Sequence, residues 1–272
     1  DAGKVEVTIK DATGGNFENL VPSTTPAVTD VTDTIDTSTV KLTATEAATE
    51  GGTVTYTATV GAPVTGSPVV VTLANGQTIT IAVGQTTGTA TAIAPNDALT
   101  GHAPLTNSIT EVSGGNYENL VADKTPVSTT VTDTVDTTTV SLTATGNVNE
   151  GGQIVYTATL TNPAGTPVTV TLSNGSTITI DAGKTTGTVT VPAPADDVYK
   201  DAGKVEVTIK DATGGNFENL VPSTTPAITD VTDTIDTSTV KLTATETAAE
   251  GGTVTYTATV GAPVTGSPVV VT

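Results

Sequence analysis

The stretch PVTVTLSNGSTITI, residues 167–180, alternates apolar and polar side chains on both sides of an Asn-Gly pair. Such alternation is typical of a strand with one buried face, because successive side chains of a strand point to opposite sides. Asn-Gly is a strong signal for the tight turn of a β-hairpin, since both residues tolerate positive φ. The stretch therefore predicts two antiparallel strands, 167–172 and 177–180.

The residues around this hairpin continue the same pattern. Five further segments alternate in the same way, and breaks rich in Gly, Pro, Asn and Asp separate them. No segment has helical periodicity. Seven short, regularly spaced strands in about 100 residues predict an antiparallel, immunoglobulin-like Greek-key β-sandwich. The five other predicted strands are 139–145, 153–160, 186–191, 204–210 and 226–231.

The chain repeats itself with a period of 100 residues. Residues 201–272 match residues 1–72 except at positions 28/228, 47/247 and 49/249, and the motif Glu-Gly-Gly recurs at 50, 150 and 250. Solenoid repeats run to roughly 20–50 residues, so this period suits a whole sandwich better. The sequence predicts an all-β chain of tandem sandwich domains in a linear array, with two alternating variants. The predicted domains are 1–35 (the C-terminal part of a repeat), 36–135, 136–235 and 236–272 (the N-terminal part of a further repeat).

The composition limits the possible partners. The 272 residues include 28 acidic and nine basic side chains, which give a formal charge of -19. Such a charge disfavours nucleic acid and anionic membranes and favours cations. Cysteine is absent, which excludes disulfides and thiolate metal sites. No apolar run approaches the ~20 residues of a transmembrane segment, and no signal peptide is evident. Because the chain starts without Met, we expect a fragment of a longer protein.

The acidic residues concentrate where domains are predicted to meet. In VTDTIDTSTV, residues 31–40, Asp33 and Asp36 lie three positions apart, and Asp30 precedes them at the same spacing. A flat strand cannot keep this spacing on one face. The run is therefore predicted to be a linker whose side chains face both of the domains that it joins. In the repeat 136–235, the predicted strand order brings several carboxylates to one pole. They belong to Glu150, Asp196, Asp197, Asp230, Asp233 and Asp236.

The opposite pole of each domain is also acidic. It carries the loop DATGGNFENL, residues 211–220, whose Asp211 and Glu218 would face Asp133 and Asp136 of the preceding unit in a head-to-tail stack. Like charges at such a junction repel unless a cation lies between them. Calcium takes six to eight oxygen ligands in flexible geometry, so clustered carboxylates suit it better than Mg²⁺ or Zn²⁺. The sequence therefore predicts calcium at domain junctions, against the alternative that these acids are only solvated surface.

Catalysis finds little support in the sequence. No Ser or Thr nucleophile has a repeated His partner, and the single histidine, His102, aligns with Ala202 in the other variant. Paired carboxylates would need a cleft that a slender sandwich rarely offers. The glycine loop does not fit GxGxxG, a P-loop or a calcium roll, and it is predicted to be a turn with an aromatic anchor. We expect a protein that is not an enzyme.

Several motifs together resemble a known family. Glu150-Gly151-Gly152, followed by YTATL, PVTVTLSNG, TITI, TGTVTV and PADDV, resembles Calx-β-like and other bacterial immunoglobulin-like modules. The VTDTxDTxTV linkers and GGN(F/Y)ENL loops are more particularly similar to LapA-like extender repeats of giant repeats-in-toxin (RTX) biofilm adhesins. This resemblance covers the whole chain. It implies a type I secreted, extracellular protein of the bacterial cell surface, whose repeats hold an adhesive region away from the cell.

The resemblance also implies ligands and partners. Calcium would stiffen each junction, neighbouring repeats of the same chain would be the partners, and other regions of the full-length protein would contact the adhesive target. The first junction departs from the second, with Asn96 in place of Asp196 and Thr130 in place of Asp230. The implied ligands are Glu50, Asp97, Asp133 and Asp136 at the first junction, and Glu150, Asp196, Asp197, Asp233 and Asp236 at the second.

Three functions remain open from the sequence. A structural spacer is favoured by the near identity of the repeats, since no repeat carries a singular site. A carbohydrate- or surface-binding module would instead use a Thr-rich face. A calcium sensor would change its interdomain angle when the ion binds.

Overall fold

The structure is a computed structural model that describes residues 3–272. Regular structure in this range consists of 24 β-strands, and no helix there has the length and apolar character needed to cross a membrane. The described residues form two compact units. Unit 1 comprises the residues up to Pro95 together with His102–Thr132, and unit 2 comprises Asn96–Gly101 together with Asp133–Thr272.

The strands follow the 100-residue repeat. The repeat 36–135 contains β3 (Thr37–Ala44), β4 (Ala47–Thr49), β5 (Thr53–Thr59), β6 (Val69–Leu73), β7 (Thr78–Ile81), β8 (Thr87–Ile93), β9 (Leu105–Asn107), β10 (Ile109–Gly114), β11 (Asn119–Ala122) and β12 (Val127–Thr132). The repeat 136–235 contains β13 (Thr137–Ala144), β14 (Asn147–Asn149), β15 (Gln153–Leu160), β16 (Val168–Leu172), β17 (Thr177–Ile180), β18 (Thr186–Pro192), β19 (Gly203–Val207), β20 (Ile209–Gly214), β21 (Asn219–Pro222) and β22 (Ala227–Thr232). The partial repeats contain β1 (Gly3–Val7), β2 (Ala27–Val31), β23 (Val240–Ala244) and β24 (Tyr256–Val260).

Each full repeat builds one four-stranded and two three-stranded sheets among the described residues. The sheets of the second repeat are β18-β15-β13-β21, β14-β22-β19 and β17-β16-β20, and the first repeat uses the equivalent strands in the same order. Buried side chains from all three sheets pack into one hydrophobic core per repeat. The prediction of tandem all-β sandwich modules is confirmed.

The predicted hairpin of the second repeat is present. Strands β16 and β17 pair antiparallel, and Gly175 donates its N–H to the carbonyl of Leu172 to close the turn. Val168, Val170 and Leu172 have no exposed surface, whereas the threonines between them lie outside the core. The alternation in the sequence therefore reports the buried face correctly.

Two parallel pairings depart from the predicted antiparallel sandwich. β13 pairs in parallel with β21, and β14 pairs in parallel with β22. The chain bends at Thr145 and Gly146, where the N–H of Thr145 bonds to Val155 and the carbonyl of Gly146 accepts from Asp230. The N-terminal segment of the repeat thus contributes β13 to one sheet and β14 to another. A pattern of apolar residues records burial but not strand direction, so the sequence could not reveal this switch.

The sixth predicted strand, 204–210, is broken in the structure. Residues 203–207 form β19 beside β22, whereas residues 209–214 form β20 beside β16. Thr208 separates the two strands, and its carbonyl accepts the N–H of Ser173. The glycine loop after β20 carries Phe217, which packs partly buried against the core. The count is therefore ten strands per repeat and not seven.

The core depends on the complete set of strands. Tyr56 and Tyr156 are 4% and 0% exposed in the two full repeats, whereas Tyr256, at the same position of the partial repeat, is 68% exposed. β23 and β24 pair with each other in the same register as β13 and β15. Burial of this tyrosine in the two full repeats therefore comes from packing against the other strands of the same repeat.

Candidate metal centre

The Glu-Gly-Gly turn joins three chain segments in the second repeat. The N–H of Glu150 donates to the carbonyl of Thr232 at 3.1 Å, and the N–H of Gly151 donates to Pro194 at 2.7 Å. Gly151 has a φ of 69°, a left-handed conformation that glycine adopts without a steric penalty. The turn thereby places the Glu150 side chain beside the segment that leaves β22 and the loop that follows β18.

Strand pairing brings two further carboxylates to this place. Gly203 pairs antiparallel with Val231, so Asp201, two residues before Gly203, lies opposite Asp233, two residues after Val231. One carboxylate oxygen from each of Glu150, Asp201 and Asp233 lies within 4.8 Å of the other two. We call these three residues the Glu150 cluster.

The charge of the Glu150 cluster is poorly compensated by protein groups. Glu150 is only 8% exposed, and Glu150 Oε2 and Asp233 Oδ1 are buried without a hydrogen-bond partner. The hydrogen bond to Asp201, burial, and the charges of Asp201, Asp233 and Asp197 raise the pKa of Glu150 from 4.5 to about 7. Buried carboxylate oxygens are normally paired or metal-bound, so this arrangement calls for a cation.

The residues of the Glu150 cluster fit calcium. Calcium binds oxygen at about 2.3–2.6 Å, so two ligands of one ion lie up to roughly 5 Å apart, which the cluster's 4.8 Å limit satisfies. The three carboxylates supply only hard oxygen donors, which suit calcium and not the nitrogen and sulfur preferences of zinc. A pocket of about 210 Å³ beside them is lined by Glu150, Asp201, Pro194 and Lys204, among other residues.

The lysine that lines this pocket, Lys204, is already bound to another acid. Lys204 Nζ lies 2.7 Å from Asp230 Oδ1 on the neighbouring strand, an ion pair that raises the pKa of Lys204. The sequence analysis proposed Asp230 as a ligand, and the structure places it in this ion pair, outside the Glu150 cluster. Asp236, another predicted ligand, is exposed and is not part of the cluster.

The two acids of the PADDV loop make local hydrogen bonds. Asp197 Oδ1 accepts the backbone N–H of Tyr199 at 2.7 Å, and Asp196 Oδ1 accepts from the hydroxyl of Thr234. The first bond shapes the loop itself, and the second ties the loop to the segment that leaves β22. Asp197 acts on Glu150 through its charge, as the pKa of Glu150 records.

The first repeat arranges its equivalent residues differently. Glu50 is buried like Glu150, but its Oε1 contacts Nε2 of His102 within unit 1. In unit 2, Asp133 Oδ2 accepts the N–H of Gly101 at 2.7 Å, and Asp97 Oδ1 accepts the N–H of Leu99 at 2.7 Å. The predicted ligands Glu50, Asp97 and Asp133 therefore each accept a contact from the loop before β9.

Asp136 meets the glycine loop of its own repeat, 136–235. Its N–H donates to Glu218 Oε2 at 2.5 Å, and its Oδ2 accepts from Asn96 Nδ2 at 3.1 Å. The first repeat makes the same backbone contact, between the N–H of Asp36 and Glu118 Oε2. The glutamate of each GGN(F/Y)ENL loop thus binds the linker that enters its repeat.

A direct contact between successive repeats lies within unit 2. The loop 96–101 of the first repeat packs on the glycine loop of the second, where Leu99 and Phe217 form an antiparallel bridge. Thr100 and Asn216 exchange three hydrogen bonds at 2.9 Å: Thr100 N–H to Asn216 O, Thr100 hydroxyl to Asn216 Oδ1, and Asn216 Nδ2 to Thr100 O. We call this contact the Thr100–Asn216 clasp.

Asn216→Ala is expected to open this clasp. Two side-chain hydrogen bonds are lost, and alanine tolerates the φ of 55° at this position less well than asparagine. We expect local opening of the loop 96–101 to become easier by about 1–3 kcal/mol. Hydrogen exchange at the Thr100 amide measures this change. Asn116→Ala, the matched variant one repeat earlier, where φ is not positive, should leave that amide unchanged.

One protein-family model matches successive repeats of the chain in turn. The family model described as the LapA domain matches residues 1–34, 36–134 and 136–234. The chain belongs to the LapA domain family. The LapA matches cover most of the 272 residues, and no curated protein matches the chain significantly.

Membership of the LapA family has direct consequences for function. It indicates a component of a biofilm adhesin at the cell surface, and such a family is associated with a structural role. It also confirms the resemblance that the linker and glycine-loop motifs predicted. The LapA family alone does not name ligands, so the Glu150 cluster rests on the geometry given above.

Proposed function

We propose that the chain is an extender segment of a biofilm adhesin, whose repeats are held by direct contacts and by calcium bound to Glu150, Asp201 and Asp233. The observation that carries the calcium is Glu150 Oε2, which is buried without a hydrogen-bond partner while its carboxylate faces two other acids. A bound divalent ion would neutralise this charge and tie the turn after β14 to the segments before β19 and after β22. Type I secretion, as for RTX adhesins, belongs to this proposal as well.

The Glu150 cluster includes a residue of the linker that joins successive repeats. Asp233 lies in the linker run 230–236, directly between β22 and the start of the next repeat. An ion that fixes Asp233 restrains the linker, because three ligands from separate segments must hold one geometry. Without the ion, like charges repel and the linker gains freedom. Calcium would therefore control how rigidly successive repeats are joined.

Small-angle scattering of the chain tests this function. We expect a larger maximum dimension and slower proteolysis at residues 232–237 in millimolar calcium than in chelator. Magnesium at equal concentration should substitute poorly, because it demands tight octahedral geometry and releases water reluctantly.

Matched variants locate the effect. Asp201→Asn should remove the response to calcium, whereas Asp181→Asn, which deletes the same charge from an exposed turn after β17, should keep it. Unchanged dimensions and unchanged linker protection on chelation would contradict the proposal, and the Thr100–Asn216 type of contact would then have to supply the rigidity.

A further inference from the structure

The two repeat variants differ most where the ligands converge. The loop before β9 reads NDALTGH, residues 96–102, and the loop before β19 reads DDVYKDA, residues 196–202. Asp201 of the second loop is replaced by Gly101, and Ala202 is replaced by His102. One variant therefore loses a carboxylate and gains an imidazole beside the same buried glutamate.

The structure shows what these replacements do to the glutamate. In the first repeat, Nε2 of His102 contacts Glu50 Oε1, and the two side chains are 16% and 0% exposed. In the second repeat, Glu150 Oε2 remains buried and without a hydrogen-bond partner beside Asp201. The imidazole thus occupies an oxygen of Glu50 that a calcium ion would need.

The linker aspartates Asp133 and Asp233 also differ between the two variants. Asp133 Oδ2 accepts the N–H of Gly101 at 2.7 Å, whereas the equivalent Asp233 has a buried Oδ1 without a partner. Residues 101 and 102 of the first variant therefore supply one donor to Asp133 and one contact to Glu50. Residues 201 and 202 of the second variant supply a further carboxylate and a methyl group. Only the second variant brings three carboxylates together, and two of them, Glu150 and Asp233, have a buried oxygen without a protein partner.

We propose that calcium binds at the Glu-Gly-Gly turn only in the second variant. Turns that bind calcium would then alternate along the array with turns whose acids are bonded to protein groups instead. This inference rests on the calcium of the proposed function and restricts it to every second repeat. Residues 236–272 repeat the first variant, so the two variants alternate into the following repeat. Calcium would then tune the linker of alternate repeats and leave the others at constant stiffness.

Calorimetric titration of the full chain with calcium tests the alternation. We expect Glu150→Gln and Asp201→Asn each to remove one calcium equivalent, and Glu50→Gln and His102→Gln each to remove none. A loop transplant, in which residues 96–102 take the sequence of 196–202, should add one equivalent. Transplanting the whole loop is necessary because Gly101 has a φ of 85°, where a single aspartate would be strained. Hydrogen exchange of β5 and β8 confirms that each variant is folded.

The outcomes separate this inference from the proposed function. If Glu50→Gln removes as much calcium as Glu150→Gln, the alternation is overturned and the calcium-bound extender stands. If the unmodified chain binds no calcium, the calcium of the proposed function fails, and the alternation fails with it. A folded transplant that gains no calcium would also overturn the alternation, because residues 196–202 would then not determine the site.

Discussion

Gly187→Ala is expected to destabilise the second repeat by about 3 kcal/mol or more. Inserting atoms into a packed core typically costs about 1–3 kcal/mol, and the cost is at the upper end when the new atom meets backbone, which moves less easily than a side chain. Gly187 lies in β18, where a Cβ atom would come within 2.3 Å of the Thr179 carbonyl oxygen and 3.0 Å of Ile178 Cγ2. The first contact is with the backbone of β17 and cannot be relieved by a rotamer change. The two sheets that contain β17 and β18 would therefore have to separate.

Hydrogen exchange of β17 and β18 measures this loss. Peptides from residues 137–200 can be assigned to the second repeat, because their sequence differs from that of the first. Gly146→Ala is the matched control: a Cβ there meets nothing within 4 Å, and the first repeat carries Glu46 at this position. Equal protection in both variants would show that the sheets can move apart at little cost. The first repeat offers an independent copy, since a Cβ on Gly88 would lie 2.4 Å from Thr80 O.

The strands were predictable because each carries its own signal. Period-two alternation located β13, β15, β16, β17 and β18 to within two residues, and Asn-Gly located the hairpin turn. The parallel pairs of β21 with β13 and of β22 with β14 were not predictable. Their partners lie about 80 residues apart, and short strands such as Asn219–Pro222 lack an alternating pattern of their own.

The Glu150 cluster was half predictable. Glu150 and Asp233 recur with the repeat and were identified from their spacing, but Asp201 was missed because its counterpart in the other variant is Gly101. The signal that locates Asp201 is the register of β19 on β22, which sets it opposite Asp233. The same register pairs Lys204 with Asp230, so a residue predicted as a ligand lies in an ion pair instead. Charge spacing identifies the acidic pole, whereas strand register decides which acids meet.

Glu150→Gln is expected to stabilise the second repeat in chelator at pH 8 and to destabilise it in calcium. In chelator the buried Glu150 carboxylate faces Asp201 and Asp233, and glutamine removes one of these charges. In calcium the carboxylate is a ligand, and ligand binding at 100 times Kd stabilises a fold by about 2.7 kcal/mol. The two proteins should therefore exchange their order of stability between the two buffers. Urea denaturation followed by hydrogen exchange of β15 and β18 measures both differences.

The pH dependence of the stability of the second repeat provides a second, independent test of the Glu150 site. The pKa of Glu150 is raised from 4.5 to about 7 in the folded chain, so between these values the folded state holds a proton that the unfolded state has released. In chelator, stability of the second repeat should therefore fall as pH rises from about 4.5 to about 7 and then level off with respect to this group. Glu150→Gln should flatten that fall, and Asp181→Asn, with an exposed acid removed, should retain it.

Calcium should abolish this slope. The ion binds the ionised carboxylate, so in saturating calcium Glu150 is deprotonated in both the folded and the unfolded chain between about pH 4.5 and 7, and stability should stay level over the range in which it falls in chelator. A carboxylate that is merely solvated would produce no fall in either buffer, because its pKa would be equal in the folded and unfolded chains. Parallel pH profiles of the unmodified chain and Glu150→Gln in both buffers would therefore refute the metal centre, whereas a fall that only the unmodified chain shows, and that calcium abolishes, follows directly from three acids that share one buried site.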